Sequence, residues 1–168
     1  MKLKILVIKV EDNLMSQRDG ADKLLRYIYG NNFSIKKTPS GKPYLDGVYN
    51  YTYFNVSHSG NYTVCVFSDL PVGVDIEKIR PISQRVINRF LDGCSQIEAI
   101  NKWTQRESFG KMTGNGFHDT RYDEIPHVFK EYNDINGYII TVCVDTSRPG
   151  GLVVTDADFP EQPTWYQE

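Results

Sequence analysis

The chain of 168 residues predicts an α+β fold. Three observations carry this. Strand-like apolar segments recur through the first half, at 3–10, 49–56, 62–67 and 72–77. The apolar spacing turns helical after Pro81. Strand-like segments return at 128–132, 138–144 and 152–155. Strands, then helices, then strands is an α+β order.

Taken in order, residues 3–10 read as a strand that is apolar on both faces, and 12–16 as a polar break. A helix follows. Ser16 with Asp19 three residues later resembles a capping pair, Leu24, Leu25 and Ile28 form the apolar stripe, and Gly30 with Asn31 supplies the stop. Residues 34–37 suit a short strand and 38–43 a loop, because Pro39, Gly41 and Pro43 interrupt it. Tyr49, Tyr51 and Tyr53 alternate with Asn50, Thr52 and Phe54, predicting a strand to Val56 and a turn at 57–61. With 62–67 and 72–77 this predicts a meander. Val86, Ile87, Phe90 and Leu91 then mark a helix capped by Ser83 and broken at Asp92 and Gly93. Ile97, Ile100, Trp103 and Phe109 mark a second helix that Gly114 stops. No period is visible at 116–126.

A net charge of -2 gives no field that would gather nucleic acid or an anionic membrane. Cys65, Cys94 and Cys143 are odd in number and without C-x-x-C spacing, which predicts buried thiols in a reducing compartment. The N-terminal apolar stretch meets Glu11 and Asp12 at once and has no cleavage signature, so it reads as a strand of a cytoplasmic protein with no membrane span. A monomer is expected.

In 72–77, Val72, Val74 and Ile76 share one strand face, while Gly73, Asp75 and Glu77 share the other. The two carboxylates are then about 7 Å apart, at roughly 3.3 Å per residue. Like charges so placed repel unless a cation lies between them, and magnesium is commonly held by one or two carboxylates with waters and phosphate oxygens. A solvated strand face explains the same pair. Gly73 leaves room for a ligand near the backbone. In 103–111, Trp103, Glu107 and Lys111 fall on one helix face, where a plain Glu107 to Lys111 ion pair is the simplest account. Gly110 inside this helix costs about 1 kcal/mol relative to alanine, which points to close packing or ligand approach.

The blocks Gly41-Lys42-Pro43-Tyr44, Asn55-Val56-Ser57-His58-Ser59, Gly73-Val74-Asp75-Ile76-Glu77 and Trp103 through Lys111 occur in the order seen in Sfp-type 4'-phosphopantetheinyl transferases, which the chain resembles. The departure is Arg106, where that family usually has lysine. The resemblance implies two similar α+β lobes related by a pseudo-twofold axis, here 1–80 and 81–168, with the second trimmed and the site between them. It implies magnesium-dependent transfer of 4'-phosphopantetheine from coenzyme A to a serine of an apo acyl or peptidyl carrier protein, releasing 3',5'-ADP. Asp75, Glu77 and Glu107 would be metal ligands, and Glu107 also the base. Lys111 would neutralise the diphosphate, and Arg106 would serve as a phosphate clamp, its planar fork replacing a compact ammonium. Lys42, Pro43, Ser57 and His58 would grip the nucleotide of coenzyme A. The alternative is a non-catalytic relative that binds coenzyme A or a carrier protein without transfer. A serine hydrolase built on Ser57 and His58 is disfavoured, since adjacent strand residues point to opposite faces and no G-x-S-x-G elbow surrounds them. His118 and His127 have no ligand spacing.

Overall fold

The computed structural model describes residues 1–147 and 153–167, apart from the side chain of Ile97. Two antiparallel-dominated sheets face each other, and a helix covers the outer face of each. The first sheet has the order β4-β5-β1-β9 and the second β6-β8-β7, while β2 and β3 form a separate hairpin.

Strand β1 (Leu3–Lys9) is central in the first sheet, which explains its apolar character on both faces. Ile5 and Val7 point to the second sheet, and Leu6 and Ile8 point to helix α1 (Leu14–Tyr29). The cap of α1 is Asn13, whose side chain accepts from the Ser16 N–H, so the helix starts before the expected Ser16. Leu14 and Met15 are exposed in its first turn and lie outside the apolar stripe, which is why periodicity passed them over. Gly30 ends the helix at φ 75°.

The short strands β2 (Ile35–Lys37) and β3 (Pro43–Leu45) enclose the glycine loop. Strand β4 (Tyr53–Ser59) begins four residues later than the tyrosine alternation predicted. Tyr49 and Tyr51 instead pack as rings against Tyr29 and Phe67. Ser57 and His58 belong to β4, not to a turn. The turn to β5 (Tyr62–Ser68) is Gly60-Asn61, with Gly60 at φ 52°.

Strand β6 (Val72–Lys78) does not continue a meander. It leaves β5 through Asp69, Leu70 and Pro71 and pairs with β8 (Tyr138–Asp145) in the second sheet, so the passage between the sheets falls before residue 80. Val72, Val74 and Ile76 meet Ile5, Val7, Val64 and Val66 in the core between the sheets. Their alternates, Gly73, Asp75 and Glu77, face the other way, as the period of two requires.

Helix α2 (Gln84–Phe90) is capped by Ser83, and the break that follows uses positive φ at Asp92 and Gly93. Helix α3 (Gln96–Thr113) carries a reciprocal capping box between Ser95 and Glu98 and ends at Gly114 in the left-handed region. It covers the second sheet through Phe109 and Met112 against Cys143. Residues 116–126 contain a 3-10 turn (Thr120–Asp123), and β7 (His127–Tyr132) forms the far edge of the sheet. No strand forms over 153–155, and residue 152 lies outside the described residues. The tail returns to the first sheet, where β9 (Thr164–Trp165) pairs parallel with β1, a contact that two residues of strand pattern could not announce.

Gly73 makes room for α3 rather than for a ligand. A Cβ there would lie 2.0 Å from the Ser108 carbonyl oxygen and 2.5 Å from the Met112 nitrogen, both backbone atoms that cannot swing aside. Gly73→Ala is expected to cost about 2 kcal/mol by overpacking and, at about 3 °C per kcal/mol for this chain length, to lower the Tm by about 6 °C. Calorimetry checks it; an unchanged Tm would mean that the helix does not sit this close to β6. Gly110 is also a packing residue, since a Cβ there would fall 2.3 Å from the Gly116 backbone.

Cys65 and Cys143 are buried as expected, while Cys94 is only partly buried; burial pushes the Cys65 and Cys143 thiols up, away from reactivity. Among the described residues, no helix is long and apolar enough to cross a membrane.

Candidate active site

The carboxylates singled out in the sequence sit where the two sheets and α3 meet. Asp75 is on β6 with 3% of its surface exposed. Its Oδ1 accepts from the Lys111 ammonium of α3 at 2.6 Å and from the Ser57 hydroxyl of β4 at 3.1 Å. Lys111 also donates to the Ser57 oxygen at 2.8 Å, and the Ile76 N–H donates to that oxygen at 3.2 Å. One residue from each of three elements thus closes a triangle, with Asp75 and Ser57 buried and Lys111 partly exposed. The expected Glu107 to Lys111 pair is displaced by this tertiary one, because an ammonium that can reach a buried carboxylate gains more there than at a half-exposed neighbour one turn away.

Three carboxyls here are held above their ordinary values. For Asp75 the main cause is burial, opposed by Lys111, Ser57 and the Ile76 N–H. For Glu77 and Glu107 burial comes first and the Asp75 charge second, with Lys111 opposing both. The Trp103 side chain hydrogen-bonds Glu77, and His118 lowers Glu107 somewhat. Among the described residues, the buried Oδ2 of Asp75 meets no hydrogen-bond partner. Such an oxygen is costly to bury unless something positive meets it.

Three carboxyls raised chiefly by burial, one of them with an orphaned oxygen, have the chemistry of donors to a hard divalent cation. Among the described residues, no three His, Cys, Asp or Glu side chains already close around one point. Magnesium does not require that, since one or two carboxylates with waters and phosphate oxygens suffice.

Clefts open on both sides of the triangle. One, of about 270 Å³, is lined by Glu77, Arg80, Val86, Ile100 and Trp103. The other, of about 230 Å³, runs over Gly41, Lys42, Pro43, Asn55, Lys111 and Gly114. Lys42 and Pro43 thus line the same cleft as Lys111. The Lys42 ammonium is turned inward, donating to the Met112 carbonyl in the last turn of α3, and burial brings it down to about 8. His58 is exposed on β4, with its imidazole pushed down by partial burial and by the charges of Lys111 and Arg18.

Arg106 stands apart from this group. Its guanidinium lies 5.0 Å from the Tyr122 ring centroid, in a small cleft with Leu91, Asp92, Lys102 and Gln105. It is one residue before Glu107 on α3, about 100° around the helix. Sequence reasoning missed Asn55 and Ser59 as structural partners of β6, Arg80 beside Glu77 and His118 beside Glu107. Only the alternation Asn-x-Ser-x-Ser in β4 carried a signal for any of these.

No protein-family model matches the chain. The chain nonetheless has curated relatives. The chain is 28% identical over 170 residues to the 4'-phosphopantetheinyl transferase Sfp of Bacillus subtilis (strain 168), covering 85% of this chain and 75% of that one. It is 29% identical over 180 residues to the 4'-phosphopantetheinyl transferase ffp of Bacillus subtilis, with the same coverage. Over 103 residues it is 32% identical to the 4'-phosphopantetheinyl transferase gsp of Aneurinibacillus migulanus, covering 54% of this chain and 42% of that one. An α+β protein with an acid and lysine cluster between helix and sheets is defined by its structure. Over 85% of its length the chain is thus similar to 4'-phosphopantetheinyl transferases.

Proposed function

We propose that this protein transfers 4'-phosphopantetheine from coenzyme A to a serine of an apo acyl or peptidyl carrier protein, with magnesium, in the cytosol. The observation that supports this most is the Asp75, Lys111 and Ser57 triangle flanked by Glu77 and Glu107, with clefts on both sides. The layout of one sheet and one helix on each side is compatible with two pseudo-twofold lobes near 1–80 and 81–168, apart from β6 and β9, which cross between the sheets.

The reaction forms a bond from the serine oxygen to the phosphorus that carries pantetheine and breaks the bond to the bridging diphosphate oxygen, so 3',5'-ADP leaves. Asp75, with Glu77 or Glu107, would hold magnesium, which when bound supplies charge neutralisation at the diphosphate. Glu107 takes the serine proton, directly or through water. A carboxyl raised by burial and a neighbouring charge is a better proton acceptor near neutral pH than an ordinary one. Lys111, released from Asp75, offers its ammonium to the diphosphate. The exposed His58, beside Arg18 and Lys111, suits a terminal phosphate, and the glycine loop with Lys42 and Pro43 lies along the nucleotide.

Mass spectrometry of apo carrier proteins incubated with this protein, coenzyme A and magnesium tests the proposal. The expected result is the phosphopantetheine mass gain, lost when magnesium is chelated. Coenzyme A binding without any mass gain on acyl and peptidyl carriers would instead favour the non-catalytic reading.

Arg106 gives a separate expectation. Because its guanidinium rests on Tyr122, Arg106→Ala should cost about 0.5–1 kcal/mol of stability through the lost cation–π contact, and Arg106→Lys less. Transfer rates should change only severalfold in either variant. A loss of 100-fold or more in Arg106→Ala would return Arg106 to the role of phosphate clamp.

A further inference from the structure

We propose that Asn55, Ser57 and Ser59 form a side-chain ladder that fixes the free edge of β6 and so aims Asp75 at Lys111, which makes Asn55 a positioning residue although it touches none of the site carboxylates. The functional half of this inference rests on the transferase reading above.

Among the described residues, strand β6 is an edge strand, paired on one side only, with β8. Successive residues of a strand send their N–H groups to opposite edges. The N–H groups of Val74, Ile76 and Lys78 therefore point away from β8, where an open edge would leave them unpaired. Each one meets a side chain of β4. Val74 donates to the Asn55 Oδ1 at 3.0 Å, Ile76 to the Ser57 hydroxyl at 3.2 Å, and Lys78 to the Ser59 hydroxyl at 3.1 Å.

Strand β4 can do this because its backbone on the far side is paired with β5 and its period of two puts residues 55, 57 and 59 on one face. The intervening Phe54 and Val56 pack into the cluster under α1. Two polar residues, Asn55 and Ser57, are buried at positions where apolar side chains would satisfy packing alone. Their polarity is explained by the β6 donors, which would otherwise be buried without partners. The ladder thus joins the two sheets without a shared backbone edge.

Its middle rung is also part of the site. The Ser57 oxygen accepts from Ile76 and Lys111 while its hydroxyl donates to Asp75 Oδ1, so the position of β6 along β4 and the direction of the Asp75 carboxylate are set together. A shift of β6 by a fraction of a rung would move Asp75 away from Lys111. Asn55 holds the next rung, one alternation before Asp75, and prevents that shift.

Amide hydrogen exchange by NMR, read with the carboxyl carbon shift of Asp75 and steady-state transfer kinetics, tests this on the full chain. In Asn55→Ala the Val74 amide is expected to exchange at least about tenfold faster, with the β8-facing Gly73 and Asp75 amides little changed. The Asp75 carboxyl signal should move, and kcat should fall by about tenfold, the pattern of a supporting residue. A second pair guards against simple misfolding: Ser57→Thr and Ser57→Val have nearly the same shape and differ in the hydroxyl. Ser57→Thr should keep the Ile76 amide protected and Ser57→Val should not. An unmoved Val74 amide in Asn55→Ala, or equal Ile76 protection in the two Ser57 variants, overturns the ladder. An unmoved Asp75 signal overturns its positioning role. Neither readout needs activity, so a parent inactive on every carrier would defeat the transferase reading and leave the ladder to be decided by exchange and carboxyl shifts.

Discussion

Glu107→Gln and Asp75→Asn are each expected to lower transfer by at least about 100-fold while the fold is retained, the scale set by losing a charged ligand or its close support in a metal-dependent site. Both substitutions keep size and hydrogen-bonding shape and remove one negative charge. The effect should also be visible without turnover. Magnesium that binds only the folded protein raises its stability by RT ln(1 + [Mg]/Kd), so millimolar magnesium should raise the Tm of the parent and leave Asp75→Asn unmoved. Glu77→Gln is expected to fall between these, because Glu77 already shares its charge with the Trp103 side chain and Arg80. Full activity in both Glu107→Gln and Asp75→Asn, with an undiminished magnesium response, would exclude the carboxylate site.

Much of this arrangement was legible where it depends on local spacing. The period of two in 72–77 put Asp75 and Glu77 on one face and Val72, Val74 and Ile76 on the other, as observed. Helix α3 was marked at both ends, by its apolar spacing and by Gly114, and Trp103, Glu107 and Lys111 needed only the helical repeat to share a face. What escaped depends on partners far away in sequence. Nothing local says that β6 leaves the β4 and β5 hairpin for β8, or that the Lys111 ammonium travels to Asp75 instead of Glu107. Gly73 was read as room for a ligand, and the tertiary packing shows instead that α3 fills that space. The tyrosine alternation at 49–53 misled because rings that pack in a loop can mimic a strand's period. Arg106 illustrates a different limit of motif reading: a sequence block carries residue order, while the azimuth of each side chain around the helix decides what it touches.

Lys111→Met is expected to destabilise the protein by about 3 kcal/mol at pH 8 and by much less near pH 4 to 5. The magnitude is that of breaking a buried ion pair on one side, taken at the lower end because the Lys111 side chain is 29% exposed. The pH dependence follows from Asp75. Its folded carboxyl is raised above the unfolded value near 3.8, chiefly by burial, so the folded state holds the proton more tightly. The stability this group contributes is complete below the unfolded value and is lost as pH rises through the folded one. Lys111 limits that loss by pulling the carboxyl back down, and it does the same for Glu77 and Glu107. Without the ammonium all three move further up, so the loss deepens and extends to higher pH. Urea denaturation of parent and variant at pH 5 and pH 8 measures the difference. A deficit equal at both pH values would assign it to lost packing of the lysine stem. The double variant Asp75→Asn with Lys111→Met removes the charge along with its partner and should recover most of the loss at pH 8, because replacing both members of a buried pair avoids the unpaired charge that makes a single deletion costly.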